Sequence, residues 1–421
     1  MEKLVIEGGY TLKGKVEVSG SKNASLPIIA ATILCDGEYK IDNVPNLRDV
    51  RTLLKLLSLL NIESRLDRSK VLLKNKNDNG AYEAPYDLVK TMRASILVLG
   101  PLLAKRRKAR VSLPGGCAIG ERPVDQHIKA LKQMGATIDI EHGYIVAECD
   151  SLKGADIYFD LVTVTGTENV LMAAVLAKGK TTIYNAAIEP EVIDLANFLI
   201  KMGAKIEGVG TKTITVYGVD SLSPANYSVM NDRIEAATLM CAAAITGGDV
   251  EIVGVPQEYL TTVFEKLSET GVNIEFVDDK KVRVYSLGRL KAADVTTQVY
   301  PGFPTDLQAQ FMALMCVADG VSVVTETIFE NRFMHVAELK RMGADIRLKD
   351  RSAVVNGVKR LSGAHVMASD LRASASLVIA GLVAEGETHV HRIYHLDRGY
   401  EFFDKKLNGL GAKIKREKNG V

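Results

Sequence analysis

A motif of the form L-x-x-[ML]-G-A-x-I recurs along the chain and constrains its fold more than any other feature. It reads LKQMGATI at 131–138, LIKMGAKI at 199–206, LKRMGADI at 339–346 and LNGLGAKI at 407–414. Weaker copies are LSETGVNI at 267–274 and LLSLLNI at 56–62. Successive starts lie 75, 68, 68, 72 and 68 residues apart, so six units of about 70 residues account for all 421. A repeat of this length is a supersecondary unit that buries its apolar face only against its neighbours.

A second landmark keeps the same period. Short polar segments open apolar runs at KNASLPIIAA (22–31), MRASILVLG (92–100), TENVLMAAVLA (167–177), DRIEAATLMCAAA (232–244), DLQAQFMALMCVA (306–318) and DLRASASLVIAGLVA (370–384). These read as helices apolar on nearly every side, which belong inside a core rather than on a surface. A glycine and a β-branched stretch follow, as in GDVEIVGVP (248–256). Then comes an amphipathic helix that stops at the L-G-A glycine, the residue suited to a left-handed helix stop. Two strands close the unit, as in AKIEGVGTKTITVYG (204–218). Each unit is thus βαβαββ, with helices within and sheets outside. Three units per domain is the simplest grouping into globules of ordinary size. The N-terminal segment IEGGYTLKGKVEVSG precedes the first helix and could equally complete the last unit.

Composition narrows the function classes. Fifty-three basic and 51 acidic residues leave a formal charge of +2, so nothing demands nucleic acid or an anionic membrane. The longest apolar runs fall short of the roughly 20 residues a membrane span needs. MEKLVIEGG places acidic and glycine residues where a signal peptide would carry its apolar core, and the expected location is the cytoplasm. Five cysteines (Cys35, Cys117, Cys149, Cys241, Cys316) form no CxxC pair, and the seven histidines fall into no ligand pattern, so neither a disulfide framework nor a metal site is expected.

Charged residues that open the buried helices are candidates for a shared anion site: Lys22, Asn23, Arg93, Asp232, Arg233, Asp306, Asp370 and Arg372. Arg122 and Asp125 in a loop, Arg332, and Arg398 in HLDRGYE (395–401) join them. Helix N-termini attract anions, and Arg or Lys beside them would hold a carboxylate or phosphate. Any one of these residues could instead merely cap its helix, and for Asp306 the cap and the general-base readings stand equal. The loop PGGCAIGERPVD (114–125) is too rich in Gly and Pro for a helix or a central strand. Cys117 there, five residues before Arg122, has the surroundings of a reactive thiol. Cys35, Cys241 and Cys316 lie in apolar helices and read as small core fillers.

SKNASLPIIAA, GGCAIGERPVDQHI, FPTDLQAQF, TETIFENRFMHV, MASDLRASASLVIAGL and IYHLDRGYE together closely resemble the UDP-N-acetylglucosamine 1-carboxyvinyltransferase family of enolpyruvyl transferases, across essentially the whole chain. The resemblance implies an α/β fold: a two-domain inside-out α/β barrel with three βαβαββ units in each domain. One domain would span 21–230, the other 1–20 plus 231–421, with the active site in the cleft between them. The implied reaction moves the enolpyruvyl group of phosphoenolpyruvate to the 3′-hydroxyl of UDP-N-acetylglucosamine. No cofactor or metal is implied, and the partners are these two small molecules.

The catalytic residues implied by the resemblance are Cys117 as proton donor and site of a covalent phosphoenolpyruvate adduct, Asp306 as base, Lys22 and Arg398. Lys22, Asn23, Arg122, Arg332, Arg372 and Arg398 match phosphoenolpyruvate-binding positions. Asn23, Arg93, Arg122, Pro123, Val124, Asp125, Gln126, Val164, Asp306 and Ile328 match positions for the UDP-sugar. Glu189, Asp232 and Glu330 match further cleft positions. LVTVTGTEN (161–169) departs from the family's K/P-x-S-V-G-A-T loop, with Leu161, Thr163 and Thr165 at its Lys, Ser and Gly positions. Two other readings remain: transfer to shikimate 3-phosphate by the sister enzyme, which lacks a GGCAIGERP-type loop, and a non-catalytic repeat scaffold.

Overall fold

The computed structural model describes residues 2–76, 80–90, 92–113 and 124–418. Its described residues form six four-stranded sheets of one pattern. In the unit around the motif at 199–206, Asp156–Tyr158 runs parallel to Lys180–Tyr184, which pairs antiparallel with Thr213–Tyr217, and Lys205–Glu207 closes the edge against that last strand. Between the first two strands lies the buried helix Val164–Ala174, and between the second and third the amphipathic helix Pro190–Lys201.

Amphipathic helices end where the repeat motif places its glycine. Gly135, Gly203, Gly271, Gly343 and Gly411 have φ of +92°, +104°, +87°, +90° and +101°. Most side chains are strained there, so glycine recurs. The degenerate first copy carries Asn61 at φ +60°, asparagine being the commonest substitute in the left-handed region.

Among the described residues, contacts divide the chain into two compact units, one of 20–113 and 124–230 and the other of 2–19 with 231–418. At the first division Gly20 lies against Asn43, where a Cβ would stand 1.6 Å from the Asn43 carbonyl oxygen. Strand exchange accompanies the division. Tyr227–Ser228 is the parallel first strand for Gly37–Asp42, although 185 residues separate Asp42 from Tyr227. The N-terminal segment splits in two. Glu2–Glu7 inserts between Glu387–His391 and Lys413–Lys418 and completes the last repeat, whereas Lys13–Glu17 opens the fourth beside Asp249–Val253.

Each unit has its own apolar core. In the C-terminal unit the helices Arg233–Ile245, Gln308–Met315 and Leu371–Gly381 pack on one another, and all but Leu371 of their residues are buried. Surrounding strands in both units alternate fully buried residues with more accessible ones, as in Asp249–Val253 and Lys70–Asn75, so each sheet gives one face to the helices and one to water. In the N-terminal unit Lys22–Ala31 and Val164–Ala174 occupy the equivalent inner positions, with Arg93–Val98 and Leu99–Arg106 forming a two-part inner helix. Cys35, Cys241 and Cys316 are buried, and burial raises the Cys316 thiol to about 12. No described helix is long and apolar enough to cross a membrane.

Candidate functional site

Asp306 lies in the 3₁₀ turn Thr305–Leu307 at the head of an inner helix, where Pro304 and Leu307 hold the cap positions. Its Oδ1 is 2.8 Å from Nη2 of Arg332, and its Oδ2 is 3.1 Å from both Nε and Nη2 of Arg372. The arginine side chains are 5% and 1% exposed and the carboxylate 24%, so two dry guanidinium groups brace one partly wet acid. Burial opposes the charge on Arg372, yet Tyr400, Asp306 and Asp232 outweigh it and the guanidinium stays charged. The Tyr400 ring lies 5.2 Å from the Arg372 guanidinium carbon.

A polar plug sits among the three apolar helices below this cluster. Thr238 donates to the Ile234 carbonyl, which leaves the Tyr400 hydroxyl to donate to Thr238 at 3.0 Å. Gln310 Nε2 donates to Tyr400 at 2.9 Å and to the Asp306 carbonyl at 2.9 Å, and that carbonyl fixes which way the amide points. The plug ties Arg372's aromatic neighbour to Asp306's own backbone.

Asp232 and Asp370 do what the cap reading allows. Asp232 accepts from the amides of Ile234 and Glu235, and Asp370 from those of Arg372 and Ala373. Arg398 is half-buried in the turn Leu396–Arg398. Ile328 is half-buried and donates its amide to Glu326, whereas Glu330 is exposed, 3.7 Å from Arg351.

In the N-terminal unit Lys22 opens its helix behind the cap residue Ser21. Lys22 is 8% exposed, and its Nζ lies 3.0 Å from Asp49 in the first turn of Arg48–Leu59. Asn23 is half-buried beside it. Arg93 opens the 3₁₀ segment Arg93–Val98 and, after burial itself, is the main influence lowering His127 to about 4. Asn169 donates to His127 Nδ1 at 3.0 Å, so the ring proton sits on Nε2, 3.4 Å from Thr165 Oγ1.

The departing loop is held by contacts of its own. Leu161 is 70% exposed and brings no charge, but Gln126 clamps its backbone through both amide atoms. Thr163 supplies the hydroxyl that caps the helix from Val164, accepting from Gly166 at 3.2 Å. Asp125 is exposed at the head of Asp125–Gln133, next to half-buried Val124. Cys117, Arg122 and Pro123 lie outside the described residues.

Sequence reasoning did not single out several residues that the geometry does. Glu168 is 2% exposed, one of its oxygens has no hydrogen-bond partner, and burial, then Glu191 and Glu189, push its carboxyl well above the usual range. Its signal was an acid among the first residues of an apolar helix. His127, Tyr400, Asp49 and Glu326 are likewise buried polar groups, and Tyr400 finds its partners Thr238 and Gln310 in other repeats.

Residues 6–407 match the family model described as EPSP synthase (3-phosphoshikimate 1-carboxyvinyltransferase). A UDP-N-acetylglucosamine 1-carboxyvinyltransferase of Nitratidesulfovibrio vulgaris strain Hildenborough is 60% identical over 417 residues, covering 99% of this chain and 100% of that protein. One from Geobacter metallireducens is 58% identical over 420 residues, with 99% and 100% covered. Among solved structures, the enolpyruvyl transferase NikO from Streptomyces tendae superposes with a TM-score of 0.89 at 24% identity, over 99% of this chain and 98% of that one. An EPSP synthase from Acinetobacter baumannii gives 0.75 at 22%, over 99% and 100%. Those two likenesses speak to fold: the mixed α/β enolpyruvyl-transferase architecture. Taken with the full-length relatives, the chain belongs to the enolpyruvyl transferase family, on its UDP-N-acetylglucosamine 1-carboxyvinyltransferase branch.

Proposed function

We propose that this protein transfers the enolpyruvyl group of phosphoenolpyruvate to the 3′-hydroxyl of UDP-N-acetylglucosamine and releases phosphate, the first committed step of peptidoglycan synthesis. The observation that carries the reading is the Asp306 carboxylate braced by Arg332 and Arg372. A base that takes a hydroxyl proton beside an incoming dianion needs cations fixed around it, and pre-set guanidinium groups supply them without reorganising. The choice of acceptor rests on relatives at 58–60% identity that carry the UDP-sugar name. The shikimate 3-phosphate reading rests on the family description and on structures at 22% identity.

The step is an addition followed by an elimination. The methylene carbon of phosphoenolpyruvate takes a proton from Cys117, and the adjacent carbon takes the sugar oxygen as Asp306 removes that oxygen's proton. The tetrahedral ketal then loses phosphate and a proton from its methyl group. Lys22, Arg332, Arg372 and Arg398, with Arg122 and Asn23, hold the carboxylate and phosphate. Arg93, Val124, Asp125, Gln126, the Val164 amide and Ile328, with Pro123, receive the UDP-sugar. The thiol of Cys117 also forms a covalent phosphoenolpyruvate adduct. A reaction consuming phosphoenolpyruvate and a nucleotide sugar belongs in the cytoplasm.

The test is to incubate the protein with both substrates and follow the vinyl protons by NMR. New vinyl resonances on a UDP-sugar enol ether, appearing with inorganic phosphate, are expected; unchanged phosphoenolpyruvate would refute the reading.

A further inference from the structure

Glu326 is a fully buried carboxylate that the proposed chemistry leaves unused. It is 0% exposed, and four hydrogen bonds converge on it. Oε1 accepts from the Thr297 hydroxyl at 2.8 Å and from the amides of Ile328 and Phe329 at 2.8 and 3.1 Å. Oε2 accepts from the Thr305 hydroxyl at 2.8 Å. The Thr305 oxygen, its proton committed to Glu326, accepts from Arg332 Nη1 at 2.8 Å. The other terminal nitrogen of Arg332 holds Asp306. The Phe329 ring, whose own amide Glu326 holds, lies 5.5 Å from the Arg332 guanidinium carbon.

We infer that Glu326 is the positioning residue that sets Arg332 against Asp306, through the Thr305 hydroxyl on one side and the Phe329 turn on the other. The inference rests on the enolpyruvyl-transfer reading and deepens it. A carboxylate can accept on both oxygens at once, and no other side chain of this size can. A neutral amide would keep an acceptor for the Thr297, Ile328 and Phe329 donors but present N–H to Thr305. The threonine proton would then have no acceptor, and its hold on the guanidinium would weaken. Buried and satisfied at every contact, Glu326 gives Arg332 one orientation and, through it, Asp306 one reach toward a hydroxyl.

The link is tested at Thr305, where valine keeps the branched shape and removes only the hydroxyl. Thr305→Val is expected to lower kcat/KM about 10- to 100-fold, mainly in kcat, because a misplaced base costs rates of that order. Its melting temperature should stay within a few degrees of the parent, and Thr305→Ser should restore the rate to within about 3-fold. A Glu326→Gln, Thr305→Val double variant should lose no more than the worse single variant, as members of one chain do. Parental rates in Thr305→Val, equal impairment in Ser and Val, or fully additive losses would each overturn the inference. Parental turnover is the control for the reaction itself. Should the parent prove inactive, proton exchange at the Arg332 guanidinium, read by arginine side-chain NMR, decides the matter separately. Faster exchange by at least about 10-fold in Thr305→Val supports the link, and unchanged exchange overturns it.

Discussion

Glu168 and His127 are titratable groups buried in the uncharged form, and their pH effects run in opposite directions. The folded Glu168 carboxyl keeps its proton where an unfolded glutamate, near 4.5, has lost it. The native state therefore binds more protons, and stability declines as pH rises from about 4.5 through the raised folded value. Glu168→Gln removes that liability, so its melting-temperature advantage over the parent should widen between pH 4.5 and 8; a constant gap would contradict the assignment. His127 is lowered from 6.5 to about 4, so here the unfolded state binds the extra proton. Its stability contribution is present above pH 6.5 and is lost as pH falls toward 4, at about 1.4 kcal/mol per pH unit. Urea denaturation of His127→Asn should show a shallower fall over that window than the parent. Closer to the chemistry, Asp306→Asn keeps the shape beside Arg332 and Arg372 but cannot take a proton, and kcat should drop about 10²- to 10⁴-fold with the fold intact. Arginines and acids at helix starts were legible as candidates for an anion site because they stand out against apolar runs. Glu326 was not: a glutamate between two threonines in TET resembles a surface residue, and its burial becomes tolerable only once Thr297 and Thr305 join the Ile328 and Phe329 amides around it.

At the scale of elements, the L-G-A stop is the sequence's clearest statement, because one backbone requirement is written in one residue. Gly411 at φ +101° should not accept a side chain without strain, and Gly411→Ala is expected to cost about 1–2 kcal/mol by chemical denaturation. Asn61→Gly, at φ +60°, should leave stability unchanged or raise it by a few tenths of a kcal/mol. Inner helices were legible for a similar reason, since apolar residues on every side leave no face for water. Strand partners were less so. The two-residue strand Tyr227–Ser228 has too few residues to show alternation, and its partner Gly37–Asp42 belongs to the other end of its unit. The same holds for the N-terminal segment, read as one piece and found to serve two sheets. Hydrophobic periodicity fixes which residues face a core but not which neighbouring strand they meet.

At the largest scale the described residues form six copies of one unit with two separate apolar cores. Separate cores melt as separate cooperative units, so calorimetry should give an enthalpy larger than the van't Hoff value rather than one two-state transition. A net charge of +2 told nothing of this chemistry, because it averages over the chain and hides local clusters: Asp306 against Arg332 and Arg372 leaves one positive charge in excess, and Lys22 against Asp49 leaves none. The central claim, that these groups serve enolpyruvyl transfer to a nucleotide sugar, is tested most directly by phosphate release from phosphoenolpyruvate with each acceptor in turn. Release with UDP-N-acetylglucosamine, none with shikimate 3-phosphate, and none from a Cys117→Ala variant is the predicted result. Release only with shikimate 3-phosphate, or with neither acceptor, would contradict it.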